Sequence, residues 1–146
     1  MKKILFMCVA NSARSQMAEG IAKHLYPKIE VQSAGSIPAQ INPFAIQAMK
    51  EINIDISNHY AKDFESLENK FINDLDYLIT LCKEEVCPII NSDAIILSWP
   101  FDDPASSKFS ENQLEKFRET RDLLLSKIES MTKIFEQKKF NSVINL

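Results

Sequence analysis

Four stretches of the chain each predict a β-strand. KILFMCV (residues 3–9) runs apolar almost without interruption, which is typical of a strand buried on both faces of a parallel sheet. IEVQSAGS (29–36) indicates a second strand that ends in a turn at Gly35. DYLITLC (76–82) and DAIILSW (93–99) predict two further buried strands.

Apolar residues at helical spacing follow the strands. Met17, Ile21 and Leu25 stand four apart and predict a helix from about Arg14 to Leu25. In INPFAIQAMKEINI, Asn42 can cap a second helix and Pro43 suits its first position. The apolar positions predicted to line the buried side of that helix are Phe44, Ala48, Met49 and Ile52.

A long C-terminal helix is predicted to open at Ser110, because Ser110 and Gln113 stand at capping-box spacing. Its predicted core face comprises Leu114, Phe117, Leu124, Ile128 and Met131. We expect one domain over residues 1–135 and leave the tail, residues 136–146, unassigned because it carries little pattern.

Strands that alternate with helices favour an α/β domain with a parallel sheet, and ligands of such sheets bind beyond the carboxyl ends of the strands. Cys8 ends the first predicted strand and Cys82 ends the third. Asp102 and Asp103 follow just after the fourth. The sequence therefore predicts a functional site at this edge of the sheet.

Composition narrows the class of protein. The 146 residues suit one domain, and the net charge of −3 gives no reason to expect nucleic acid or an anionic membrane as a partner. The chain has no apolar stretch long enough to span a membrane, so we expect a cytoplasmic protein. The cysteines Cys8, Cys82 and Cys87 are odd in number and lack CxxC spacing, which favours reduced thiols over a disulfide scaffold or a zinc site.

The segment CVANSARS (8–15), between the first strand and the first helix, has the features of an anion-binding loop. Free backbone N–H groups at a helix N-terminus bind tetrahedral oxyanions, and Arg14 can add a bidentate fork. The positive electrostatic potential of these N–H groups and of Arg14 also stabilises a thiolate on Cys8, whereas an ordinary cysteine is only about 3% thiolate at neutral pH. Ser15 is placed to donate a hydrogen bond to the Cys8 sulfur, and Asn11 can adopt a left-handed conformation and hold the loop's shape.

These residues resemble a known family. CVANSARSQMAEG is similar to the signature of the low-molecular-weight protein tyrosine phosphatases and, more closely, of the thioredoxin-coupled arsenate reductases built on that fold. The likeness continues through SAGS, NPFAIQAMKEINIDISNH, LITLC…CP and WPFDDPA, over roughly residues 2–125. The resemblance implies a single-domain three-layer sandwich with a four-stranded parallel sheet.

The resemblance also implies roles for individual residues. Cys8 is the nucleophile and Ser15 tunes its thiolate. Asp103 takes the position of the phosphatases' general acid, for which its neighbour Asp102 has a weaker claim. The oxyanion is held by the Arg14 side chain and by the loop amides of Val9, Ala10, Asn11, Ser12, Ala13 and Arg14.

In the implied reductase reaction, Cys8 attacks arsenate and Cys82 then attacks the Cys8 sulfur, which releases arsenite. Cys87 next attacks Cys82, and thioredoxin reduces the Cys82–Cys87 disulfide. Five helical residues rise about 7.5 Å, more than the roughly 4.4–6.8 Å between the Cα atoms of a disulfide. If residues 83–87 are helical when reduced, oxidation must therefore unwind them, and we hypothesise a redox-driven switch in this segment.

The chain departs from the reductase pattern at several positions. Four residues separate Cys82 from Cys87 where six are typical, and Ala10 stands where glycine is common. Many members of the family have a potassium site beneath the loop, and Asn11, Glu19 and Ser33 match three of its ligands. The fourth ligand, an aspartate, falls at Lys62 or Asp63, which leaves potassium binding open.

Two other functions remain open. A phosphatase of this fold needs Cys8, Arg14 and Asp103 but has no use for Cys82 and Cys87, and Ala105 replaces the aromatic residue that often walls a phosphotyrosine pocket. A non-catalytic redox sensor or anion-binding module is the third possibility.

We expect the protein to be a monomer without a tightly bound cofactor. Its expected substrate is arsenate, with phosphate or sulfate as analogues. Its expected reductant is thioredoxin, with glutaredoxin or another thiol as the alternative.

Overall fold

The four predicted strands form one parallel sheet. The computed structural model describes residues 2–83 and 92–135, and the bounds below refer to these. The strands are β1 (Lys3–Met7), β2 (Glu30–Ala34), β3 (Tyr77–Thr80) and β4 (Ile95–Ser98), in the spatial order β2-β1-β3-β4. This arrangement confirms the expected four-stranded α/β fold.

Five α-helices and two short 3-10 helices connect and cover the strands in the described part of the chain. The α-helices are α1 (Arg14–Leu25), α2 (Pro43–Lys50), α3 (Asn69–Asn73), α4 (Gln113–Glu129) and α5 (Thr132–Phe135). The 3-10 helices span Phe64–Ser66 and Ser107–Phe109. None of the described helices is long and apolar enough to cross a membrane.

The pairing of β1 explains its unbroken apolar sequence. It lies between β2 and β3, with Leu5 opposite Gln32 on one side and Leu78 on the other. Ile4 and Phe6 pack against the layer that contains α1, α2, α4 and α5. Leu5 and Met7 face the opposite layer, where they meet side chains of α3 and its surroundings. Helices on both faces therefore give the three-layer sandwich.

The helix predictions hold for α1 and for the start of α2 and fail at the start of α4. Helix α2 ends at Lys50, so Ile52 lies beyond it, and both Phe44 and Ile52 are only partly buried. The side chain of Asn42 caps α2 by accepting a hydrogen bond from the Phe44 amide at 2.8 Å, as predicted. The helix expected to open at Ser110 begins at Gln113 instead. Ser110 ends the preceding 3-10 helix, where its amide bonds to the Ser107 carbonyl, so local turn geometry replaces the capping box.

Strand β4 differs from its prediction as a buried strand. It lies at the edge of the sheet, and Ile95 and Ile96 are 56% and 60% exposed. An edge strand has a paired neighbour on one side only, and an apolar sequence alone does not reveal this position.

Candidate active site

The loop over residues 8–13 links β1 to α1 at the carboxyl edge of the sheet. Cys8 directly follows β1 and is only 3% exposed. Asn11 is fully buried and has a φ of 49°, the left-handed conformation that asparagine tolerates. The fold thus holds the Cys8 sulfur at the base of a sharply curved loop.

Hydrogen bonds from outside the loop fix its carbonyl groups. The carbonyls of Val9, Ala10 and Ser12 accept bonds from backbone amides of residues 37, 39 and 42, at 2.9–3.0 Å. In a planar trans peptide the N–H points away from the C=O, so the following amides turn toward the inner side of the loop. Ala13, the N-cap of α1, supplies no side-chain cap for the amides of the first turn. Together these groups form a nest suited to a tetrahedral oxyanion.

A directed chain of hydrogen bonds ends on the Cys8 sulfur. The Ser15 hydroxyl lies 2.8 Å from Cys8 Sγ and accepts a hydrogen bond, also 2.8 Å, from Asn11 Nδ2. When Cys8 is a thiolate, the Ser15 hydroxyl carries the only hydrogen between Oγ and Sγ, so Ser15 is then the donor to the sulfur. All three residues are buried, so this donor faces no competition from bulk water and stabilises the thiolate.

The chain of hydrogen bonds continues outward through Gln16 and His59, two residues that no sequence motif connects to the site. Gln16 Nε2 donates to Asn11 Oδ1 at 3.0 Å, and Gln16 Oε1 lies 3.0 Å from His59 Nδ1. Burial lowers the pKa of His59 while the neighbouring Glu19 carboxylate opposes the shift, which favours a neutral ring that donates through Nδ1. His59 follows Gln16 by 43 positions, so no local pattern could have indicated the contact.

Arg14 joins the loop to the segments that follow β3 and β4. Its Nη1 donates to the carbonyl of Leu81 at 3.3 Å and to that of Phe101 at 2.9 Å, and the residue is only 4% exposed. Leu81 directly precedes Cys82, and Phe101 directly precedes Asp102. One buried guanidinium thus brings together the segments that carry the predicted second thiol and the predicted acid.

The predicted thiols have different states. Cys8 is a free thiol, whereas Cys82, which lies two residues beyond β3, is disulfide-bonded. Strands β1 and β3 are paired through Met7 and Thr80, so both cysteines lie at the ends of neighbouring strands. Cys87 and the proposed switch over residues 83–87 fall at or beyond the limit of the described residues, as does the tail over residues 136–146.

The two aspartates have distinct surroundings. A hydrogen bond from Lys83 holds the pKa of Asp102 below its ordinary value, and Lys108 and Lys116 add to this effect. Such a carboxylate is a poor proton donor. The Asp103 side chain instead accepts a hydrogen bond from the Ala105 amide at 2.9 Å, in a turn beside the segment that Arg14 contacts.

The three residues that match potassium ligands are Asn11, Glu19 and Ser33, and each of them already makes hydrogen bonds within the protein. Asn11 Oδ1 accepts hydrogen bonds from Gln16 Nε2 and, at 3.0 Å, from the Lys62 amide. The Ser33 hydroxyl donates to Glu19 Oε1 at 2.9 Å. Both lone pairs of Asn11 Oδ1 are thus engaged, and Lys62 Nζ lies 3.7 Å from Glu19 Oε1. A potassium ion there would meet an ammonium group and would lack the Asn11 oxygen, so this donor set does not fit the ion.

Replacing Ser15 by alanine is expected to reduce the reactivity of Cys8 without unfolding the protein. A hydrogen bond to a charged group contributes about 1.5–3 kcal/mol, so without the Ser15 donor the Cys8 sulfur should react more slowly, by about tenfold or less. The measurement is the rate of Cys8 alkylation by iodoacetamide, followed by mass spectrometry of the Cys8 peptide. Ser130→Ala, an exposed serine at the end of α4, is the control, and equal rates in all three proteins would contradict the assigned hydrogen bond.

Comparison with known proteins agrees with this fold. The pattern of the low molecular weight phosphotyrosine protein phosphatase family matches residues 3–141, and the chain belongs to this family.

Several members of the family that are similar to this chain are arsenate reductases. It is 42% identical over 130 residues to arsenate reductase 2 of Staphylococcus saprophyticus, a match that covers 87% of this chain and 93% of that protein. A solved structure of an arsenate reductase in the phosphate-binding state is 34% identical, with a TM-score of 0.76, and the match covers 93% of this chain and all of that one. A thioredoxin-dependent arsenate reductase of Corynebacterium glutamicum is 30% identical with a TM-score of 0.61, covering 88% of this chain and 62% of that one.

Proposed function

We propose that this protein is an enzyme that reduces arsenate to arsenite, with Cys8 as the nucleophile. The main structural support for this proposal is that the buried Cys8 thiol lies at the base of an anion-binding loop, with Cys82 just after the neighbouring strand. The similarity to arsenate reductases over most of the chain supports the same reaction. One of those related structures is of an arsenate reductase in the phosphate-binding state, which supports a tetrahedral oxyanion as the ligand of this protein.

The first chemical step is attack of the Cys8 thiolate on arsenate. A bond forms between sulfur and arsenic, and one arsenate oxygen leaves as water after it is protonated. The inward-facing amides and Arg14 stabilise the negative charge of the oxyanion, and Ser15 holds the thiolate until it reacts. Asp103 is the proposed donor of the proton to the leaving oxygen.

The electron transfer follows in a thiol exchange. The Cys82 thiolate attacks Cys8 Sγ, a disulfide forms, and the sulfur–arsenic bond breaks with its electron pair left on arsenic as arsenite. Cys87 then attacks Cys82 and releases the Cys8 thiolate, which leaves Cys82 and Cys87 oxidised. A free Cys8 beside a disulfide-bonded Cys82 is the thiol distribution expected at this stage.

The proposed reductant that closes the cycle is thioredoxin. The thioredoxin-dependent relative supports this assignment, and a dithiol donor matches the two electrons stored in one disulfide. We propose that the enzyme acts as a monomer in the cytoplasm, where thiols are kept reduced.

The proposed function is tested by arsenate-dependent oxidation of NADPH in the presence of thioredoxin and thioredoxin reductase. We expect turnover that requires arsenate, the enzyme and thioredoxin together, with arsenite as the product. Glutathione with glutaredoxin serves as the alternative donor in a parallel assay. Rapid hydrolysis of aryl phosphates without any arsenate reduction would instead identify a phosphatase, the second function compatible with the family and with Asp103.

A further inference from the structure

A cluster of basic groups surrounds the buried carboxylate of Glu19 beneath the loop. Glu19 lies in α1 and is only 4% exposed. Its Oε2 accepts a hydrogen bond from Lys23 Nζ at 2.9 Å and lies 3.3 Å from His59 Nδ1. Its Oε1 lies 3.7 Å from Lys62 Nζ, on the same side as the Ser33 hydroxyl. A buried carboxylate requires compensating charge, and the Lys23 and Lys62 ammonium groups supply it, while His59 and Ser33 add neutral hydrogen-bond donors.

Lys62 differs from Lys23 in its burial and in its contact with the loop. The Lys62 side chain is 10% exposed, whereas that of Lys23 is 50% exposed. The Lys62 amide donates to Asn11 Oδ1, and its carbonyl accepts from the Gly35 amide, which directly follows β2. Residue 62 thus supports the loop through its backbone and places its ammonium group on Glu19 through its side chain.

Solvent ions have a route to this cluster. A pocket open to solvent is lined by Glu19, Lys23, His59 and Lys62, among others. A cation that entered it would meet two ammonium groups already bound to the carboxylate it needs. Like charges at such separations repel strongly in a partly buried site.

We propose that the Lys62 ammonium group takes the place of a bound monovalent cation beneath the loop and makes the protein insensitive to potassium. Covalent attachment keeps the positive charge next to Glu19 at any salt composition. The loop geometry around Asn11 then requires no ion from solution. Lys62 acts as a positioning residue, because its contacts are with Glu19, Asn11, Gly35 and the Tyr60 ring and not with the reacting atoms.

The test is thermal unfolding in potassium chloride, sodium chloride and choline chloride at equal ionic strength. We expect the wild-type midpoint to be the same in all three salts. A cation present at a hundred times its dissociation constant would instead raise the midpoint by on the order of 10 °C. A saturable, potassium-specific rise in the wild-type protein would overturn the proposal. This readout does not depend on arsenate turnover, so it is separate from the test of the proposed function.

Two variants test whether the ammonium group is responsible. Lys62→Met keeps the backbone bonds and most of the side-chain volume but removes the charge, and Lys62→Asp adds a carboxylate oxygen in its place. We expect both to unfold at lower temperature in choline chloride and to regain part of the loss in potassium chloride. Lys28→Met, at an exposed lysine between α1 and β2, is the matched control and should show no dependence on the cation. If both Lys62 variants unfold identically in potassium and choline chloride, the proposal is wrong.

Discussion

Replacing Cys82 by serine is expected to stop arsenate turnover while aryl-phosphate hydrolysis continues. The substitution leaves the loop, Arg14 and Cys8 in place, so an oxyanion can still bind and be attacked. It removes the thiolate that breaks the sulfur–arsenic bond, and arsenic then keeps its oxidation state. We expect the rate of NADPH oxidation to fall by about three orders of magnitude or more, as when a covalent catalyst loses its nucleophile. The coupled thioredoxin assay and a p-nitrophenyl phosphate assay measure the two activities.

Cys8→Ser is the matched control for this experiment, because it should abolish both activities. A Cys82→Ser protein that reduces arsenate as fast as the wild type would contradict the relay and leave Cys82 a packing residue. Loss of both activities in Cys82→Ser, with a lowered unfolding temperature, would assign Cys82 a structural role at the end of β3.

Gly35→Ala is expected to displace the anion-binding loop. A Cβ at position 35 would overlap the carbonyl oxygen of Val9 and lie 2.8 Å from that of Cys8. These are backbone atoms, so the loop itself has to move. Overpacking of this kind costs about 1–3 kcal/mol, and a shift of about 1 Å at a reacting group reduces the rate about a hundredfold. Urea unfolding measures the loss of stability, and the kcat of the coupled assay measures the loss of rate.

Gly20→Ala is the control for Gly35→Ala, because Gly20 lies in α1 and its added Cβ would meet side chains. The nearest atoms are Cγ2 of Ile56 at 2.8 Å and Cε of Met49 at 3.2 Å. Repacking of those side chains, together with the higher helix propensity of alanine, should leave turnover close to wild type. Wild-type kcat in Gly35→Ala would show that the loop tolerates the displacement and does not depend on close packing at Gly35.

The prediction for Gly35 comes from the structure and not from the sequence. In the sequence, Gly35 indicated only a turn after the second strand, and its close approach to residues 8–11 depends on the parallel pairing of β1 with β2. The same pairing places Ser33 beside Glu19, 14 residues away along the chain. Such contacts are decided by which strands become neighbours.

Local sequence patterns were sufficient to predict those features that depend on interactions between residues close together in the chain. The apolar run of β1, the capping of α2 by Asn42 and the left-handed Asn11 each depend on a few consecutive residues. The contact between Cys8 and Ser15 also lies within one loop and one helical turn. Edge exposure of β4 and the start of α4 were predicted wrongly, because strand order and a competing 3-10 turn decided them.

The sequence by itself determined the α/β class and placed Cys8 in the loop after β1 and Cys82 just after β3, because hydrophobic periodicity and motif spacing are properties of short segments. Only the tertiary structure decided what surrounds them. It placed His59 at the end of the hydrogen-bond chain that leads through Gln16, and Lys62 on the carboxylate of Glu19. These partners are more than 40 positions apart, and burial in one fold is what brings a charge and its counter-charge within reach.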